Sequence, residues 1–217
     1  MRADSTPEGT IRFGYALHPG TASDAIPRGL FASLEAWRRV LRSAALVGRD
    51  PARYGGLAFG NLSVRDPARH GRFFITASQC VGEDALDASA IVRIDHCDSD
   101  AFSVRATGAR APSSETLTHA AVYDADAGTR WLFHVHSPAI WKHARALGLP
   151  ATGADTPYGT SALAAEVAAL LAGTHTRPFV FVTPGHEDGV FACGLDAESV
   201  GCALVALLAR AHAEALT

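Results

Sequence analysis

Trp131-Leu132-Phe133-His134-Val135-His136 is the stretch on which the reading of this chain turns. Successive side chains of a strand point to opposite faces. Leu132, His134 and His136 therefore share one face, and Trp131, Phe133 and Val135 the other. Two imidazoles spaced by two on a strand converge on one small volume, as a shared metal ion requires. With ten histidines in 217 residues, about half of one His-x-His pair is expected by chance, so its surroundings must give it meaning. Ser113-Ser114-Glu115 stands upstream, and Gly185-His186-Glu187-Asp188-Gly189 downstream.

Outward from that strand the pattern predicts short elements. A helix is expected over 138–147, an alanine-rich helix over 161–171 and a buried strand over 179–183. Another strand follows at 190–193, across a loop containing His186, and a helix over 197–215 ends the chain. On the other side, Pro112-Ser113-Ser114-Glu115 opens a helix through Tyr123, with serine as N-cap and Glu115 in the first turn. Leu30, Leu34, Trp37 and Leu41 recur at i, i+4, i+7 and i+11, the stripe of an amphipathic helix running to Val47. Gly48 and Pro51 stop it. Residues 11–16, 54–59, 61–64, 72–76, 90–94 and 102–105 read as short strands separated by turns. Many short strands without regular β-α alternation predict a mixed, mainly antiparallel sheet between helical layers. A doubly wound parallel sheet is the alternative.

A composition of 48% hydrophobic and 19% charged residues fits one domain with a substantial core. Residues 1–27 read as an N-terminal extension, disordered over 1–10, and 28–217 as the domain. A net charge of -3 leaves no electrostatic footprint for nucleic acid. Arg38, Arg39 and Arg42 read as the solvated face of their helix. The first residues lack the apolar core of a signal peptide, and no run reaches the roughly 18 apolar residues of a membrane span. Cys80, Cys97, Cys193 and Cys202 form no C-x-x-C pair, which points to free thiols, small packing residues and a reducing cytoplasm.

His134, His136 and His186 are the candidate metal ligands. Three neutral imidazoles with a fourth position left open form a catalytic zinc arrangement, because water or substrate must occupy that position. The alternative for His186 is a loop histidine bonded to nearby backbone. Glu187 and Asp188 either orient a ligand imidazole or are solvated loop charges. His119, four residues after Glu115 on one helix face, reads as that carboxylate's partner. Glu115 is the candidate acid/base, since a carboxylate beside a metal-bound carbonyl can carry a proton on and off carbon. Its alternative is a first-turn capping role. Neutral donors near turns or a helix start, at Gly60-Asn61-Leu62-Ser63, Thr76-Ala77-Ser78 and Ser113-Ser114, could hold an anion, though each taken singly is an ordinary turn.

Taken together and in order, these segments resemble the class II aldolase/adducin family: Gly60-Asn61-Leu62-Ser63, Ile75-Thr76-Ala77-Ser78, Pro112-Ser113-Ser114-Glu115, His134-Val135-His136-Ser137-Pro138, Gly159-Thr160 and Gly185-His186. The resemblance spans residues 28–212. It implies a three-layer α/β/α fold and a homotetramer with active sites at subunit interfaces. It further implies a divalent metal (zinc, or manganese, cobalt or iron) on His134, His136 and His186, with Glu115 as acid/base. Asn61, Thr76, Ser113 and Ser114 would form the phosphate pocket. The implied activity is a lyase of carbohydrate metabolism: an aldolase cleaving a small hydroxy-carbonyl compound, a sugar or sugar phosphate, through a metal-stabilised enediolate. Dehydration and epimerisation are the alternative reactions, and a non-catalytic adducin-like binding or assembly module the alternative of another class.

Three positions depart from the family pattern. Gln79 stands where glycine often lets phosphate approach the backbone. Glu187 and Asp188 separate His186 from Gly189, whereas the aldolases read His-Gly. Asp155 falls near the place of a mechanistic tyrosine. Two other users of His-x-His are excluded. A cupin needs a glutamate soon after the pair, and an amidohydrolase barrel places the pair on its first strand and needs roughly 250 residues.

Overall fold

In the computed structural model, which describes residues 7–20, 25–157, 159–172 and 176–216, the histidine strand lies inside an eight-stranded sheet. The strands are β1 (Gly14–His18), β2 (Gly48–Arg49), β3 (Ala58–Phe59), β4 (Asn61–Arg65), β5 (Phe73–Thr76), β6 (Ile91–Asp98), β7 (Ser103–Thr107), β8 (Trp131–His136), β9 (Phe179–Val182) and β10 (Gly189–Gly194). The large sheet runs β1-β7-β6-β5-β4-β8-β10-β9, while β2 and β3 pair by themselves. Only β1 and β7 are parallel; every other neighbouring pair is antiparallel. The fold is thus a mixed, mainly antiparallel α/β sheet, as the irregular spacing of strand signals implied.

Helices α1 (Arg28–Ser43), α3 (Pro138–His143) and α5 (Ala197–Glu214) pack together over β4, β8, β9 and β10. Helices α2 (Thr116–Ala125) and α4 (Ser161–Ala172) pack on each other, and α2 meets the sheet through His119 and Tyr123, both bonded to Ser63 of β4. Strand β8 is flanked by β4 and β10, and all six of its residues are buried. That is why its sequence is an apolar run rather than an alternating one. Helices α1 and α5 cross closely enough that a Cβ on Gly201 would lie 2.1 Å from the Trp37 ring. No helix among the described residues is long and apolar enough to cross a membrane.

Several boundaries differ from expectation. Strand β1 begins at Gly14, and Phe13 ahead of it is buried in the core. Residues 7–10, expected to be disordered, form a turn closed by Thr10 on the Pro7 carbonyl; residues 1–6 lie outside the described residues. Helix α1 stops at Ser43 because Ala45 takes a positive φ of 55°, which turns Leu46 and Val47 into the core. Tyr54, Gly55 and Gly56 all have positive φ and form a tight turn instead of a strand. Helix α3 ends at His143, four residues early, where the chain passes into turns up to Gly148.

The arginine cluster divides. Arg38 is fully buried, its guanidinium forked onto Glu35 at 2.6 and 2.8 Å and donating to the carbonyls of Val81, Glu83 and Asp84. Five N–H groups in a fixed fork let one arginine tie α1 to the 81–84 loop. Arg39 and Arg42 stay at the surface. The four cysteines are free thiols; Cys80 and Cys193 are buried, Cys97 is partly buried and Cys202 is exposed on α5.

Candidate metal centre

Cross-strand register assembles the centre. His134 of β8 stands opposite Asn61 on β4 and Phe191 on β10, and His136 stands opposite Gly189. Between β9 and β10 the chain folds back in a turn that sends His186 over the same face. Its N–H donates to the Thr183 carbonyl at 2.9 Å, and its carbonyl accepts from Gly189 at 3.0 Å. A Cβ at Gly189 would lie 2.4 Å from Thr183 Oγ1, so glycine is needed to close this turn. Asp188 takes a positive φ of 61° in this turn.

One ligand atom from each of His134, His136 and His186 lies within 4.8 Å of the others, and all three side chains are buried. The Nε2 atoms of His134 and His136 are 3.2 Å apart. Zinc–nitrogen bonds of about 2.0–2.1 Å at a tetrahedral angle require roughly 3.3–3.4 Å between nitrogens, so the spacing fits a shared ion. His134 Nδ1 is 3.2 Å from the Val190 carbonyl. A carbonyl can only accept, so Nδ1 carries the proton and Nε2 presents its lone pair inward. The ring is also stacked on Phe191 at 4.1 Å, and His136 is held edge-on by Tyr54 at 4.8 Å.

Electrostatics sort the three imidazoles. Burial, reinforced by the neighbouring His186, holds His134 and His136 well below the ordinary histidine range, keeping them neutral. Burial opposes charge on His186 too, but the carboxylates of Glu8, Glu115 and Asp188 outweigh it and raise its pKa. Glu115 sits at the start of α2 as its N-cap, one residue ahead of the helix proper and without a capping bond from its side chain. The side chain is therefore free to face the centre. Its Oε2 accepts from Thr118 Oγ1 at 2.7 Å, while Oε1 lies 3.4 Å from His186 Nδ1 with no hydrogen bond among the described residues. Burial pushes the Glu115 pKa up.

His119 is not Glu115's partner. Its Nδ1 meets Ser63 Oγ at 2.7 Å across the α2–sheet interface, and burial drives its pKa down to about 3. Of the expected anion residues, Asn61, Ser113 and Ser114 line one polar cleft together with Gln79. Asn61 Oδ1 is buried there without a partner among the described residues. Thr76 is not among the residues lining that cleft; its hydroxyl accepts the Leu62 N–H at 3.1 Å and so ties β4 to β5, while its own O–H remains a donor. Gln79 has φ 63°, the conformation that favours glycine, and its amide pairs with both backbone groups of Ala58 at 2.8 and 3.0 Å. Asp155 is exposed.

Three contributors carry no local signal in the sequence. Tyr54 donates to Asp188 Oδ2 at 2.6 Å and receives a bond from Arg53, whose guanidinium also reaches the His136 carbonyl. Asp188 is thus a buried support of the centre, and Glu187 beside it is exposed. Glu8 arrives from the N-terminal turn, its Oε2 3.0 Å from His186 Nε2. Only the tertiary fold brings these residues to the histidines.

Three imidazoles and two nearby carboxylates are nitrogen and oxygen donors of the kind a divalent transition ion takes, and their charges balance one. The chain matches the family model for the class II aldolase and adducin N-terminal domain over residues 52–212. No curated protein matches it in sequence. Solved structures resemble it in fold. An L-fuculose 1-phosphate aldolase is 22% identical, with 90% of this chain and 89% of that chain covered and a TM-score of 0.64. The L-fuculose-1-phosphate aldolase from Thermus thermophilus is 20% identical, with 86% and 93% covered and a TM-score of 0.64. YgbL from Escherichia coli, a candidate aldolase/epimerase/decarboxylase, is 18% identical, with 85% and 87% covered and a TM-score of 0.62. The matched family, the sheet and the assembled residues agree: this chain belongs to the class II aldolase and adducin N-terminal domain family.

Proposed function

We propose that this protein is a metal-dependent lyase of the aldolase type, acting on a small hydroxy-carbonyl compound, a sugar or its phosphate. The observation that carries this reading is the convergence of three buried imidazoles beside a buried, partly unpartnered carboxylate. His134, His136 and His186 would hold the ion, zinc or another divalent metal such as manganese, cobalt or iron. Such an ion supplies Lewis acidity to adjacent carbonyl and hydroxyl oxygens of a substrate. An adducin-like module that only binds has no use for this donor set.

The remaining work falls to the chain's own groups. Glu115 Oε1 receives and returns the proton, while Thr118 fixes the other oxygen and so orients the carboxylate. Burial raises its pKa, which brings proton uptake closer to neutral pH. Asn61, Ser113 and Ser114 offer neutral hydrogen bonds to the substrate's far end. None of the three brings charge, and Gln79 fills the place where a phosphate would approach bare backbone. The substrate is therefore an unphosphorylated or weakly held anionic hydroxy-carbonyl compound. We further propose a homotetramer acting in the cytoplasm, with residues 28–217 as the working domain. Dehydration or epimerisation on the same site is the second reading, favoured by the exposure of Asp155, which leaves the second carbonyl without the usual proton donor.

The test is a screen of metal-loaded protein with paired phosphorylated and unphosphorylated ketoses, scored for aldehyde release, on the parent and on Gln79→Gly. Cleavage of an unphosphorylated substrate, with 1-phosphates accepted better after Gln79→Gly, is expected. A strong parent preference for a 1-phosphate that disappears on changing Ser113 and Ser114 would restore the ordinary sugar-phosphate reading.

A further inference from the structure

Glu8 reaches the centre from outside every element that builds it. Its side chain is only 11% exposed, with Oε2 3.0 Å from His186 Nε2 and Oε1 3.7 Å from His136 Nε2. The carboxylate thus spans two of the three imidazoles, on the side where His136 also faces His134. Three imidazoles leave one position open around a tetrahedral ion, and an aspartate or glutamate oxygen is one of its ordinary occupants.

The approach is shaped along its length. Phe13 anchors the segment in the core, and Gly14 donates to the Phe102 carbonyl at 3.1 Å as β1 begins. The Thr10 hydroxyl and N–H both bond the Pro7 carbonyl, at 2.6 and 3.3 Å, which curls the chain back at Glu8. Gly9 has φ 73°, and a Cβ there would lie 2.3 Å from Gln79 Nε2. Gln79 is itself clamped by Ala58. The residue that departs from the family pattern is therefore the bed on which the N-terminal turn rests, and only glycine can pass over it.

We propose that Glu8 is an internal carboxylate ligand that closes the fourth position of the centre in the substrate-free protein, and that residues 7–13 form a strap which substrate oxygens displace. This rests on the metal reading above. A chain-supplied carboxylate lying along the cleft of Asn61, Ser113 and Ser114 also means that incoming anions compete with Glu8 for the same space.

The experiment compares the parent, Glu8→Ala and Gly9→Val. Each is stripped of metal, titrated with zinc against a chelator, loaded with cobalt for its visible spectrum, and titrated with glycolate as a small hydroxy-acid probe. Thermal unfolding of the metal-free forms serves as the folding control. Loss of the carboxylate should weaken zinc binding about tenfold or more, change the cobalt bands as solvent replaces Glu8, and tighten glycolate binding. Gly9→Val should do the same by lifting the strap off Gln79. Equal zinc affinity, an identical cobalt spectrum and equal glycolate affinity in parent and Glu8→Ala would overturn the strap while leaving the triad intact. A parent that binds no zinc would instead overturn the metal reading itself.

Discussion

Glu115 Oε1 stands 3.4 Å from Nδ1 of His186, so the strongest candidate for moving a proton touches the imidazole that the turn between β9 and β10 delivers. The two residues lie 71 positions apart in sequence, one at the start of α2 and the other in the turn before β10.

From that contact, Glu115→Gln is expected to retain metal and fold but lose turnover on a confirmed substrate by roughly a hundred- to ten-thousandfold, since an amide cannot accept the proton. Metal content and kcat measured on the same preparation decide it. Full activity in the variant would end the acid/base assignment, and parallel loss of metal would recast Glu115 as a ligand.

The triad makes a stoichiometric claim. Purified protein should carry about one divalent ion per chain, and His134→Ala or His136→Ala should remove most of it, because two imidazoles rarely retain zinc. Elemental analysis of parent and variants is the measurement. Unchanged occupancy in either variant would reject these ligands.

Arg38 predicts a structural effect away from the centre. Deleting one partner of a buried ion pair strands the other, so Arg38→Ala should cost about 3–5 kcal/mol in chemical denaturation. Arg39→Ala, at a surface position, should cost under about 1 kcal/mol. Burial works against the charge of Glu35, but bonds from Arg38 and Arg39 win and lower its pKa. The pair's contribution is thus present at neutral pH and fades as acid protonates Glu35 through its lowered pKa. Similar stabilities for the two variants would show that Arg38 is not held as described.

His119 gives the pH signature. Its folded pKa, pushed by burial to about 3, lies below the ordinary value of 6.5. The unfolded chain therefore binds the proton first, and stability falls as pH drops below 6.5. Because the unfolded imidazole is already half protonated at pH 6.5, going from pH 6.5 to 5 should cost the parent about 1.6 kcal/mol more than His119→Gln. Parallel stability curves for metal-free parent and variant over that window would contradict a neutral buried His119.

Much of this was legible in residue order. Period-two alternation put His134 and His136 on one face, and the irregular succession of strand signals announced a mixed sheet. The ordered set of short motifs carried the family, because each marks a turn or strand end whose local chemistry is short-range. Local signals failed where distant groups overrode them. Arg38 reads as surface until the 81–84 carbonyls are folded over it, and His119 reads as a partner of Glu115 until Ser63 is placed beneath it. Glu8 is the extreme case: nothing within ten residues marks it, and it meets His186 178 positions away. Side-chain alternation and helix spacing are properties of the backbone and are written in the sequence itself. Which polar group satisfies which is settled only when burial removes water and leaves each donor the partners that the packed fold brings within reach.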